Sequence, residues 1–125
     1  MIKKVNPVYT NPIVFRYFYF LLIPFLISQN GNAISLEKGE KIFSNNCLVC
    51  HAGGNNIIIP EKNLKKETLE ANGMNTKTAI AYQVLNGKNG MPAFGGRLKE
   101  NEIEAVATYV LEQSNRNQWI QKNNF

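Results

Sequence analysis

The sequence predicts an all-α domain of about four helices behind a short targeting segment. Apolar residues recur at helical spacing near both ends of residues 34–125. Asn-Gly pairs at 72–73 and 86–87 punctuate the middle of the chain where helices would stop. The most strand-like run, Ile57-Ile58-Ile59, is ended at once by Pro60 and has no partner run to pair with.

Residues 1–33 read as a cleaved signal peptide and 34–125 as the mature domain. Lys3, Lys4 and Arg16 precede an apolar run over 17–27, and Gly31 and Ala33 supply small residues before a cut after Ala33. A membrane span needs about 20 apolar residues; this run is shorter and is interrupted by Pro24. An uncleaved anchor is the alternative reading. Without a twin-Arg pair a Sec-type route is preferred, and export carries the domain out of the reducing cytosol.

Within the domain, a first helix is expected over 36–50, because Leu36, Phe43, Cys47 and Cys50 fall along one side of it. A Gly/Asn-rich loop follows. A short helix over 65–71 and another over 76–85 each end at an Asn-Gly pair. The stretch 87–96, with four glycines and Pro92, is the most irregular part of the chain. The last helix, 100–113, places Ile103, Val106, Ala107, Val110 and Leu111 on one face. Glu100, Glu102 and Glu104 at its start suit the helix dipole, but no strong N-cap residue precedes them. From Ser114 the chain is polar apart from Trp119, Ile120 and Phe125, and 114–125 reads as a loosely ordered tail.

Charge and composition narrow the function. The chain carries 14 basic and 9 acidic residues, a net charge of +5, and every acid is Glu. The lack of Asp excludes Asp-bearing triads, EF-hand loops and paired-Asp protease sites. Lys3, Lys4 and Arg16 supply +3 in a segment without acids, which leaves only +2 for 34–125 and removes the main support for nucleic-acid binding. One His and two Cys cannot fill a four-ligand structural zinc site without borrowed carboxylates.

Cys47-Leu48-Val49-Cys50-His51 is a C-x-x-C-H motif. On a helix, Cys47, Cys50 and His51 project to one face. Two thiols can then form thioethers to the vinyl groups of a porphyrin, with the imidazole under the iron. This is the attachment signature of a c-type haem. A thioredoxin-like dithiol would need a βαβ setting that this chain does not show, and a disulfide between Cys47 and Cys50 would leave the adjacent His unexplained. No second His is available for the other axial position, so Met74 and Met91 are the candidates. Met91 is preferred, because "NGMPAFGG" combines glycine turns with a rigid Pro92 that can hold a thioether in place; Met74 reads as packing. His/Met ligation closes both axial positions and leaves electron transfer as the chemistry.

The segments "GEKIFSNNCLVCHAGGNN", "LEANGMNTKTAIAYQVLNGKNGMPAFGGRL" and "IEAVATYVLEQS" resemble the cytochrome c6 family of algae and cyanobacteria, over about residues 36–114. The resemblance implies a class I cytochrome c fold wrapped round one covalently attached haem c with its iron. It implies a soluble electron carrier rather than an enzyme, taking one electron from cytochrome f of the b6f complex to photosystem I in the thylakoid lumen of a plastid, or in a cyanobacterial lumen or periplasm. A monomer is expected, with no nucleic-acid partner and no membrane-embedded mature form. The Asn-, Ile- and Lys-rich composition leans towards a plastid.

Residue by residue, the resemblance implies haem attachment at Cys47 and Cys50, axial ligation by His51 and Met91, tuning of the potential by Gln83 and partner docking by Arg97. Gly39 and Phe43 match the crossing of the first helix with Val106 and Tyr109 of the last, and Gly39 would allow close backbone approach there. Gln83 stands between Ile80 and Val84 on an apolar face, where a buried amide needs a partner; its alternative role is to tie down the Met91 loop. The alternative for Arg97 is pairing with a haem propionate. Lys62, Lys65 and Lys66 form a basic cluster that reads either as solvated surface or as a docking patch. The ending "NRNQWIQKNNF" is longer than usual for the family. Competing functions are a bacterial-type donor to a terminal oxidase and a haem sensor or enzyme with an open sixth site.

Overall fold

A computed structural model describes residues 30–119. The chain divides into two units, Met1–Gly31 and Asn32–Phe125, and the second is described below. The charged flank and apolar run expected of a signal peptide lie outside the described residues, as do Ile120 and Phe125.

The order is α1 (Asn30–Asn46), α2 (Leu48–His51), short 3-10 turns at Ala52–Gly54 and Pro60–Lys62, α3 (Lys66–Ala71), α4 (Lys77–Asn86) and α5 (Glu100–Arg116). Among the described residues the only β-type pairings are isolated bridges, Lys88 with Met91 and Gly95 with Leu98. The all-α class therefore holds. The first helix differs from expectation in two ways. It begins at Asn30, so the expected cleavage point after Ala33 falls in its first turn. It is also interrupted at Cys47, where the Asn46 side-chain amide donates to the Ile42 carbonyl at 3.0 Å and competes with the backbone ladder.

Side chains rather than strand pairing organise the Ile57–59 run. Asn56 Oδ1 accepts from the backbone N–H groups of Ile58 and Ile59, each at 3.0 Å, and its amide donates to the Lys62 carbonyl at 3.0 Å. That closes a turn in which the isoleucines cannot extend as a strand. The helix starts are better capped than the sequence suggests. Thr76 Oγ1 accepts from Ala79 N–H at 3.1 Å at the head of α4. At α5 the Glu102 carboxylate reaches back to Lys99 N–H at 2.8 Å, which supplies the N-terminal stop that looked weak.

α1 and α5 cross at Gly39. A Cβ there would collide with the Ala105 carbonyl oxygen and lie 2.7 Å from the Tyr109 Cβ, so only glycine permits this approach. One turn on, Phe43 is fully buried against Val106 and Tyr109, with the Phe43 and Tyr109 rings 5.3 Å apart. Burial, with a smaller effect of Glu40, pushes the Tyr109 hydroxyl up to about 12. α4 packs on α5, and Lys77 pairs with Glu104 across their exposed side at 3.8 Å.

The chain beyond Ser114 is not loose as far as it is described. α5 runs on to Arg116, and Asn117 ends it in the left-handed region at φ 52°. Trp119 then turns inwards, with its ring 5.8 Å from Phe43 and against Gly54, where a Cβ would sit 2.6 Å from the indole. Replacing Trp119 by Ala is expected to destabilise the holoprotein by about 3–5 kcal/mol, the usual cost of deleting a buried aromatic side chain, read from denaturant unfolding. A loss below about 0.5 kcal/mol, the range of surface substitutions, would mean that the indole does not carry this corner.

Candidate functional site

The C-x-x-C-H segment sits where α1 gives way to α2. The Phe43 carbonyl accepts from Cys47 N–H at 2.8 Å, and the Cys47 carbonyl accepts from Cys50 N–H at 3.1 Å and His51 N–H at 2.9 Å. The turn geometry thus survives the break in the helix, and Cys47, Cys50 and His51 line the same cavity. Cys47 and Cys50 are not joined in a disulfide. Burial, helped by neighbouring Cys50, pushes the Cys47 thiol up to about 11. Burial lowers the His51 imidazole below its usual value, opposed by its bond to Asn55. That bond fixes the tautomer: Nδ1 lies 2.9 Å from the Asn55 carbonyl oxygen. A carbonyl can only accept, so Nδ1 carries the proton and Nε2 keeps a free lone pair, as a metal-binding imidazole requires.

Met91 reaches the cavity from the loop after α4. Lys88 and Met91 exchange backbone hydrogen bonds, each 3.0 Å, across a two-residue turn. Further on, Phe94 N–H and Gly95 N–H donate to the Val84 and Leu85 carbonyls at 3.0 Å and pin the loop to the end of α4. Gly87 starts the loop at φ 65°, and a Cβ there would lie 2.6 Å from both Ala93 N and Met91 O. The Gln83 amide points its Nε2 at Met91 Sδ, 3.9 Å away. Gln83 therefore meets the methionine that the sequence paired with it. Met74 lines the cavity as well.

The cavity holds about 330 Å³. Its walls include Leu69, Ile80, Val84, Phe94, Val106 and Val110, which are also core residues, so the core is a shell round this space. Lys62 and Lys88 are on the lining, and no carboxylate is. Of the basic cluster only Lys62 takes part, its ammonium bonded to the Asn72 side-chain carbonyl; Lys66 pairs with Glu70 at 3.8 Å instead. Arg97 does not line the cavity. It is exposed, its guanidinium 4.9 Å from the centre of the ring of Phe94, which lines the cavity. The sequence reading missed Asn56, Asn63 and Asn72, all on the lining. Asn56 and Asn63 close local turns with their side chains, and the Asn-rich composition was the signal for them. An apolar cavity that presents two thiols, a free imidazole nitrogen and a thioether fits a flat iron macrocycle attached by its edge.

Comparison with known proteins agrees with that fit. The family model for subunit III of cbb3-type cytochrome c oxidase matches residues 35–110. Cytochrome c6 of Bumilleriopsis filiformis is 68% identical over 79 residues, covering 63% of this chain and 92% of that protein. Cytochrome c6 of Pyropia yezoensis is 58% identical over 104 residues, covering 83% of this chain and 93% of that protein. The crystal structure of cytochrome c6 from the diatom Phaeodactylum tricornutum superimposes with a TM-score of 0.64 at 51% identity, covering 66% of this chain and 97% of that one.

The strain on the Met91 loop can be measured by comparing two glycines. Gly87 and Gly73 both have φ 65°, but a Cβ on Gly73 meets nothing within 4 Å. Gly73→Ala should cost only the conformational penalty, about 1–2 kcal/mol. Gly87→Ala should add about 1–3 kcal/mol, from overpacking and because its ψ of 174° lies where essentially only glycine is found, read from the same unfolding curves. Equal losses would show that the loop yields without strain.

Proposed function

Because the chain belongs to the cytochrome c6 family, we propose that it carries single electrons from cytochrome f of the b6f complex to photosystem I, with His51 and Met91 as the axial ligands of its iron. The coarser part is established by the relatives. The chain carries a covalently attached haem c. It is a monohaem electron carrier of photosynthesis and not an enzyme. No helix among the described residues is long and apolar enough to cross a membrane. In our reading the processed form, 34–125, works as a monomer in the thylakoid lumen.

The observation that carries the proposal is the convergence of Cys47, Cys50, His51 and Met91 on one apolar cavity. Cys47 and Cys50 would hold the haem through thioethers. His51, with Nδ1 committed to Asn55, offers Nε2 to the iron. Met91 offers its sulfur from a loop tied at both ends, which keeps a weak ligand in place. When bound, the haem supplies a one-electron iron couple, and His/Met ligation raises its potential. The apolar walls exclude water, and Gln83 adds an oriented amide beside the sulfur. Such a dipole changes the relative stability of the two oxidation states without moving a ligand.

The match to an oxidase-subunit model is the one observation that favours a second reading, donation to a terminal oxidase. The partner is decided at the surface. Val49, Ile57 and Ile58 are exposed apolar side chains, and Val49 and Ile58 are also on the cavity lining. Arg97 lies on Phe94, behind which the cofactor would sit. An apolar contact region with a fixed cation suits brief docking, because weak electron-transfer interfaces are small.

Three measurements test this. Met91→Ala should abolish the weak sulfur-to-iron charge-transfer band of the oxidised protein and open the iron to carbon monoxide, while Met74→Leu leaves both unchanged; the reverse pattern would transfer the ligand role to Met74. Gln83→Val should lower the midpoint potential in a redox titration with the ligation spectrum intact, and an unaltered potential would leave Gln83 as a loop anchor. Arg97→Glu should slow electron transfer to photosystem I by about tenfold at low salt, the scale of electrostatic steering. Unchanged kinetics there, with normal transfer to an oxidase, would favour the second reading.

A further inference from the structure

We propose that Asn89-Gly90 is a site of spontaneous self-modification, at which the folded backbone promotes deamidation of Asn89. The chain has four Asn-Gly pairs, and three of them, at 72–73, 86–87 and 89–90, lie among residues whose side chains are described. Their surroundings differ sharply.

Asn72 ends α3 with φ −102° and ψ 6°. Its side chain donates to the Thr68 carbonyl at 2.7 Å and accepts from Lys62, and Gly73 N–H donates to Glu70 at 3.0 Å. Asn86 is the last residue of α4. Its amide donates to the Tyr82 carbonyl at 2.8 Å, and Gly87 N–H donates to Gln83 at 2.8 Å. In both pairs the electrophile and the nucleophile are tied down by hydrogen bonds. Asn89 and Gly90 are exposed, and neither the Asn89 side chain nor Gly90 N–H has a hydrogen-bond partner among the described residues.

Turn geometry adds the second argument. Asn89 has φ 51°, and Gly90 is not among the glycines of positive φ. Positive φ at only the first central residue, inside the Lys88–Met91 pair of backbone hydrogen bonds, is the type II′ arrangement. As the mirror image of type II, it sets the first central ψ at about −120°. At that angle an L residue brings its Cβ and the following nitrogen to the same side of the Cα–C bond. Those are two of the atoms of a five-membered imide ring. The fold thus holds Asn89 close to the conformation in which Gly90 N can reach its side-chain carbonyl.

The reaction balances with water alone. Gly90 N gives up its proton to hydroxide and bonds to Asn89 Cγ; the Cγ–Nδ2 bond breaks and ammonia leaves. Water then opens one of the two imide carbonyls, giving aspartate or isoaspartate. One water is consumed and one ammonia released, and no electron is transferred. Either product places a carboxylate on a cavity lining that otherwise has none. The isoaspartate product also lengthens the backbone of the turn that carries Met91. The modification itself follows from backbone geometry and does not depend on Met91 being a ligand.

The test ages the purified holoprotein in warm, mildly alkaline buffer and maps it by peptide mass; cleavage at Lys88 separates Asn86 from Asn89. A gain of about one dalton, with isoaspartyl methyltransferase labelling, should accumulate at Asn89 roughly tenfold or more faster than at Asn72 and Asn86, as expected when one pair alone is oriented for attack. Asn89→Gln should remove the signal from its peptide. Conversion at Asn72 or Asn86 as fast as at Asn89 would overturn the proposal. So would faster conversion in a free peptide of sequence KNGMPA than in the folded protein, because the fold would then protect the pair.

Discussion

The close crossing of α1 and α5 at Gly39 is the contact on which the site depends. Because Gly39 has no Cβ, α1 can lie against the backbone at Ala105. That approach buries Phe43 completely. The Phe43 carbonyl holds Cys47, and the Cys47 carbonyl holds Cys50 and His51. The position of the His51 imidazole is thus inherited, bond by bond, from a helix crossing on the far side of Phe43. Trp119 and Gly54 brace the next loop from the same aromatic cluster. The residue that accepts from His51 Nδ1 is Asn55, directly after Gly54.

The two proposed axial ligands are held by different physics. His51 is held by the helical turn of its own motif and by one side-chain hydrogen bond. Met91 has no helix to sit on. Its loop is fixed by paired backbone bonds within a turn, by two bonds to the end of α4 and by a glycine too crowded for any side chain. A thioether is a weak ligand, so in the proposed ligation the stiffness would have to come from the loop. Gln83 belongs to α4, the helix to which that loop is pinned, which keeps its amide in register with the sulfur.

What could be read from the sequence follows how local the determining physics is. The C-x-x-C-H spacing, the Asn-Gly helix stops and the apolar face of Ile103, Val106 and Val110 are properties of neighbouring residues, and each reappears in the structure. The crossing of Gly39 and Phe43 with Val106 and Tyr109 came through the family resemblance and is present. The sequence was misleading where side chains bond the backbone or where distant segments meet. The isoleucine run is unpaired as expected, but the Asn56 side chain that shapes its loop was not foreseen. Glu102 caps a helix whose preceding residue is an unremarkable lysine. Trp119 looks like part of a polar tail because its partners, Phe43 and Gly54, are far away in the chain.

The cavity walls and the hydrophobic core are largely the same residues. A chain of this size buries only a modest core, and here that core is arranged to enclose something else. Folding and cofactor insertion are therefore one thermodynamic event, since whatever binds only the native form pulls the folding equilibrium towards it. Chains that have not yet received haem stay in the population that proteases clear. Where haem is scarcer than newly made chain, the steady amount of carrier then follows the supply of haem to the compartment where attachment occurs.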